Sequence, residues 1–300
     1  MTLFQSGLPS PMPLITDIAA LKGAVLRYRR MLYHTCQLSV FRSYLELGGI
    51  PSRNLLVSRG LPFTAFDTDN IDRKNGVWDK VFFNFSDFGL WFSNGGPGLP
   101  SPYGPICLAL NVSVLDGSSN ASVTLRSAGA DGYDREAEGL TMEEFPRLFE
   151  KYGVQKFNVR LKEALQAEFP GREVGANPEM NCGYPAELGP IGTVRYVLVD
   201  PYRVTAERPL ENVVAEMMAR SGLDRRVIER KAKPDPSTIY ATLWRAIGEG
   251  ALTIDALRGW REIDKATIAW IDRLRGWDPN SFYYTRFSRY LKAGTIDGLE

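Results

Sequence analysis

Only one histidine, His34, occurs in 300 residues. That scarcity excludes multi-histidine metal centres and leaves a serine or cysteine triad a single candidate base. Cysteine is scarce as well: Cys36, Cys107 and Cys182 are odd in number, far apart and without C-x-x-C spacing. They read as reduced thiols of a cytoplasmic protein rather than zinc or redox ligands. No stretch approaches roughly twenty uncharged apolar residues, so no membrane span is expected. The first residues carry Pro9, Pro11 and Pro13 instead of a basic start and an apolar run, which argues against a signal peptide. Neither sign of charge is in excess, with 36 Lys and Arg against 35 Asp and Glu. Any contact with nucleic acid must therefore be local. Internal repeats, low-complexity tracts and heptads are also absent.

What is present suffices for a large core: 44% of the residues are hydrophobic, and the length exceeds one average domain. Helical spacing runs from Asp17 to Arg30 and again from Ser39 to Leu47, where Gly48 and Gly49 supply a stop. Pro51 to Asp79 mixes turn formers with charges and reads as a long irregular loop, the kind that often binds ligands. Strand patterns follow at Val81–Phe85, Ile106–Val112 and Ser122–Leu125. A capping box at Thr141–Glu144 announces a helix through Phe149, and a second helix covers Asn158 to Phe169. Thr193–Val199 is a further strand. Beyond Pro209 the texture turns helical over Leu210–Ser221, Asp224–Lys233, Thr238–Ile247 and Thr253–Leu274. The expected division is a leader and first helix at 1–30, a catalytic domain at 31–204 and a helical domain at 205–300.

Two spans carry chemistry. Leu32-Tyr33-His34 opens a run that continues without a gap through a helix to Gly48-Gly49-Ile50, and Ala186-Glu187-Leu188 stands shortly before an apolar strand. Together with Lys80–Phe85, and in this order, they resemble the motifs of the DarT-like DNA ADP-ribosyltransferases over roughly Met31 to Asp200. The chain departs from that pattern at Cys36, where the family has threonine, and at Val40, where it has asparagine. The target base therefore stays open.

The resemblance implies an α+β ADP-ribosyltransferase-like fold with a split mixed β-sheet core and an appended C-terminal helical domain. It implies NAD+ as co-substrate, no metal, and single-stranded DNA as the acceptor. It also implies a toxin role, with an antitoxin or ADP-ribosylglycohydrolase as possible partner. Glu187 would be the catalytic carboxylate, stabilising an oxocarbenium-like ribose and taking a proton from the attacking base. His34 would donate to a ribose hydroxyl, with Thr35, Cys36 and Gly49 beside it in the NAD+ site. A cation for the pyrophosphate or for orienting substrate is expected on the loop before Val81, with Arg73 the first choice, followed by Arg53 and Arg59. Phe83, Phe85 and Trp91, with Phe82, offer stacking faces for the base, although strand alternation lets only half of the strand aromatics face a site. RNA or protein as acceptor, and a non-catalytic nucleic-acid-binding module, are the competing readings.

Overall fold

The computed structural model describes residues 14–63, 69–87, 89, 103–130, 132–133, 138–149, 159–175, 178–200, 203–205 and 208–230. In chain order the elements begin with helix α1 (Ile18–Tyr28), strand β1 (Met31–Cys36), α2 (Leu38–Leu47), β2 (Gly49–Pro51), α3 (Arg53–Ser58) and α4 (Asp69–Lys74). Then come β3 (Val81–Asn84), β4 (Ile106–Asn111), β5 (Asn120–Thr124), β6 (Gly139–Leu140), α5 (Val159–Glu168) and β7 (Glu179–Gly183). The last are β8 (Leu188–Pro190), β9 (Val194–Val199), β10 (Arg203–Thr205), β11 (Arg208–Pro209), α6 (Leu210–Arg220) and β12 (Arg226–Glu229). Helices and both kinds of strand pairing make this an α+β chain, as the sequence suggested. Among the described residues no helix is long and apolar enough to cross a membrane.

The chain forms two compact units interleaved in sequence. One takes residues 1–34, 47–86 and 110–193, and the other takes 35–46, 87–109 and 194–300. In the first unit β1, β3, β7, β5 and β6 lie side by side, with antiparallel registers that set both Phe83 and Val123 opposite Met180. Along β3 burial alternates, with Val81 and Phe83 enclosed and Phe82 and Asn84 half-exposed, the period-two consequence of a pleated strand. Beneath it Phe85, Phe145 and Phe149 pack edge-on or tilted with centroids 5.3–6.0 Å apart. Tyr28 stacks on Phe149, and the Arg29 guanidinium lies over the same ring while donating to the Phe85 carbonyl. Each such fully buried aromatic contributes about 2–3 kcal/mol. The first helix buries Leu21, Ala24 and Val25 against the turn Val112–Gly117.

In the second unit, Ile106 to Ala109 are buried at every position, the mark of a strand covered on both faces. There β9 lies between β4 and β12, paired in parallel with the latter. α6 joins them as a crossover and buries Leu210, Val213, Val214 and Met218. Arg230, immediately after β12, is enclosed: it pairs through two bonds with Asp87 and through Nη1 with Asp200 at 2.7 Å. Burial alone would depress the guanidinium, but these two carboxylates hold its pKa above the usual value.

Three local expectations change. Pro51–Asp79 is not one irregular loop but β2, α3 and α4, because Ser52 caps α3 by accepting from Leu55 N at 3.0 Å. The capping box is made, Thr141 N to Glu144 and Glu144 N to Thr141, yet it opens only a 3₁₀ turn at Phe145–Leu148, with Pro146 in its first turn. Asp224–Lys233 contains a strand instead of a helix, since Val227 and Ile228 lie opposite Val197 and Leu198 in the parallel ladder. The helices expected at Thr238–Ile247 and Thr253–Leu274 fall outside the described residues, as does Trp91.

Gly104 has φ +127°, and a Cβ there would overlap the Cys36 carbonyl. Gly104→Ala is expected to destabilise the protein by about 3 kcal/mol or more, combining a forbidden backbone region with a clash against main chain. A chemical-denaturation midpoint equal to wild type would contradict that close approach.

Candidate active site

Glu187 sits where the chain leaves β7 for β8, in a turn that begins with Pro185. Ala186 and Glu187 both adopt left-handed conformations, with φ of 52° and 56°. Two successive non-glycine residues there cost about 1–3 kcal/mol each, and such strain persists only where neighbours over-determine it. The neighbours are explicit. Glu187 N donates to the Tyr184 carbonyl at 3.0 Å, and the Glu187 carbonyl accepts from Ser52 N at 2.9 Å. β2 and β8 pair directly alongside, with Pro51 opposite Leu188 and Gly49 opposite Pro190.

The side chain is fixed at both oxygens. Ser52 Oγ donates to Oε2, and Asn54 Nδ2 donates to Oε1 at 2.9 Å. Because Ser52 Oγ already accepts from Leu55 N, its own hydrogen is left to point at the carboxylate. The carboxylate is thus held by neutral donors and keeps its negative charge available for a cationic centre.

His34 lies on β1 with Nδ1 2.7 Å from the Phe82 carbonyl. A carbonyl can only accept, so Nδ1 carries the proton and Nε2 is the acceptor of the neutral ring. Loss of water around the ring is the largest cause that lowers its pKa to about 4, with Arg53 adding to the fall against the bond to Phe82. With Nδ1 committed to the Phe82 carbonyl, the neutral ring has no second N–H for the donor role that the sequence reading expected. His34 packs edge-on to Phe83 at 6.1 Å, and Phe83 in turn to Tyr184, three residues before Glu187, at 6.5 Å.

The remaining candidates are distributed unevenly. Arg53, flanked by the two Glu187 partners, donates through Nη1 to Asp69 at 2.6 Å and Asp72 at 2.7 Å. Arg73 is exposed and stacks over Trp78 at 4.0 Å. Gly49 is buried, and any side chain there would collide with Leu188. Thr35 is half-buried, while Cys36 is enclosed and its thiol is pushed well up by burial. Phe83 and Phe85, at 0% and 1% exposure, present no face to a ligand; Phe83 instead supports the His34 ring from below. Among the described residues no cluster of His, Cys, Asp and Glu could hold a metal ion.

Ser52, Asn54 and Trp78 were not singled out from sequence. The Ser-Arg-Asn-Leu-Leu order at 52–56 was a legible helix start, but nothing local tied it to position 187. Trp78 is half-exposed, carries Phe63 edge-on at 6.4 Å, and accepts Asn54 N on its carbonyl at 3.2 Å. It supplies an aromatic surface beside the clamp that Phe83 and Phe85 cannot.

The described fold is α+β and holds a strained glutamate clamped at both carboxylate oxygens by neutral donors. No family model matches the chain, and no curated protein matches it in sequence. Among solved structures it is similar to DarT of Thermus sp. 2.9 in complex with ADP-ribosylated ssDNA, at 13% identity over 67% of this chain and 94% of that one, with a TM-score of 0.42. The same protein in complex with NAD+ gives 13% identity over 67% and 96%, with a TM-score of 0.39. Thermosipho africanus DarTG in complex with ADP-ribose gives 11% over 67% and 50%, at 0.40. These are distant likenesses, and the chemistry of the site is read from its own geometry.

Glu179, on β7, is buried and accepts Ala128 N at 2.8 Å. Burial raises its pKa to about 8 from 4.5, opposed by the Ala128 bond and helped by Asp72. Since the folded value lies above the unfolded one, its stabilisation is complete below 4.5 and is lost as pH rises toward 8. Glu179→Gln should flatten the fall in stability across that window; urea denaturation of both proteins at the two ends would show equal slopes if the carboxyl is not the cause.

Proposed function

We propose that this chain is an NAD+-dependent ADP-ribosyltransferase that modifies a base of DNA, with single-stranded DNA as the acceptor. The observation that carries the reading is the Glu187 carboxylate, fixed by Ser52 and Asn54 in a strained turn. Cleavage breaks the bond between ribose C1′ and the nicotinamide nitrogen, and nicotinamide leaves as a neutral molecule with the bonding pair. Positive charge then builds on the ribose, where a preorganised carboxylate acts most strongly because it need not reorganise. A base nitrogen forms the new bond to C1′, and its proton passes to Glu187 and on to solvent.

In this arrangement Ser52 and Asn54 orient the carboxylate and His34 Nε2 accepts from a ribose hydroxyl. Trp78, Phe63 and Arg73 offer an aromatic and cationic surface on which an unpaired base can stack. The sequence resemblance also assigns Thr35, Cys36 and Gly49 to NAD+ binding. The same resemblance motivates a toxin role, with a neutralising or ADP-ribose-removing partner.

Incubation with NAD+ and single-stranded oligonucleotides should add the mass of one ADP-ribose to the DNA. Glu187→Gln should lower that rate at least about 100-fold, and Ser52→Ala about 10-fold, the range for losing a charge-stabilising group or its orienter. Oligonucleotides of all four bases left unmodified by the wild-type protein would reject the assignment, and labelled RNA or protein in a parallel lysate reaction would redirect it.

A further inference from the structure

The three residues Ser52-Arg53-Asn54 are held from two sides. The outer two bond to Glu187, whereas Arg53 between them reaches away to Asp69 and Asp72 on α4. These carboxylates are unequal. Asp72 keeps 4% of its side-chain surface and Asp69 keeps 13%, so the bond at 2.7 Å to Asp72 is the less hydrated and the stronger constraint. Arg53 is further boxed by the rings of Trp78 and Phe82, each 5.9 Å from its guanidinium carbon.

Asp72 is itself immobilised. Its carbonyl accepts Val77 N at 3.0 Å, and Asn75, one turn further on, donates to the Ala128 carbonyl at 2.8 Å. The neighbouring Ala128 N–H is taken by Glu179 on β7, the strand that leads into the Glu187 turn. A closed circuit results: β7 holds Ala128, Ala128 holds the end of α4, α4 holds Arg53, and the residues flanking Arg53 hold Glu187.

We infer that Asp72 is a positioning residue for the transfer reaction, setting the place of the Glu187 carboxylate through Arg53 without touching substrate. The inference rests on the ADP-ribosyltransferase reading of Glu187. Removing the Asp72 charge relaxes Arg53 onto Asp69 alone and lets the Ser52–Asn54 segment drift. A small drift matters because transition-state stabilisation depends on placement more steeply than ground-state binding does.

The test compares wild type, Asp72→Asn, Asp69→Asn, Arg53→Lys and the Arg53→Lys/Asp72→Asn double variant by steady-state release of nicotinamide in the presence of single-stranded DNA. Asp72→Asn should lower kcat about 10-fold with KM for NAD+ within about two-fold, the signature of lost transition-state placement. Asp69→Asn should give a smaller loss in the same direction. In the Arg53→Lys background the Asp72 change should add little, because both act through one contact. An Asp72→Asn protein that melts cooperatively and keeps wild-type kcat overturns the inference while leaving the transferase reading intact. Fully multiplicative losses in the double variant also overturn it. If Asp72→Asn does not fold, Asp69→Asn decides: an unchanged kcat overturns the inference, and a lowered kcat at unchanged KM supports it. A wild-type protein that releases no nicotinamide removes the reading and the inference together.

Discussion

The structure around the candidate site depends on one carboxylate being captured by a segment more than 130 residues earlier in the chain. Ser52 and Asn54 occupy both oxygens of Glu187, and the Ser52 N–H takes its carbonyl as well. Two left-handed residues would not persist in an unrestrained turn; here the pairing of β2 with β8 and these hydrogen bonds offset the strain. The result is a charged group oriented before any ligand arrives. An electrostatic site works best in that state, since no dipole has to turn at the moment of reaction.

Elsewhere two buried arginines among the described residues meet carboxylates. Arg230 meets Asp87 and Asp200, and Arg126 meets Glu138 through two bonds while also donating to the Gly132 carbonyl. Such pairs add little net stability compared with apolar packing, but breaking one leaves an uncompensated charge, so they specify a single arrangement of the strands and loops they join. Glu179 solves the same problem differently. It has no direct cationic partner among its named hydrogen bonds, and its raised pKa keeps it neutral over much of the accessible range.

The site is also polarised in its donors and acceptors. His34 gives its Nδ1 proton to a main-chain carbonyl and stays neutral, while Ser52 and Asn54 direct theirs to Glu187. Arg53, which stands in sequence between those two donors, is turned to Asp69 and Asp72. A carboxylate left with neutral partners retains the charge that a developing cation would seek.

Periodicity made the strands at β3, β4, β5 and β9 legible, along with helices α1, α2, α5 and α6, because apolar spacing follows directly from which face must be buried. The order of motifs also singled out His34 and Glu187. Sequence did not disclose that β12 is a strand, since a short charged segment becomes one only when β9 offers it a parallel edge. Nor did it disclose that Phe83 and Phe85 are core, that the His34 Nδ1 proton goes to the Phe82 carbonyl, or that Ser52 and Asn54 hold the glutamate. Local pattern determines which residues prefer water and which backbone shapes are cheap. Which donor faces which acceptor across a sequence separation of 133 or 135 positions is decided only when the sheet registers close and bring distant turns within 3 Å of each other.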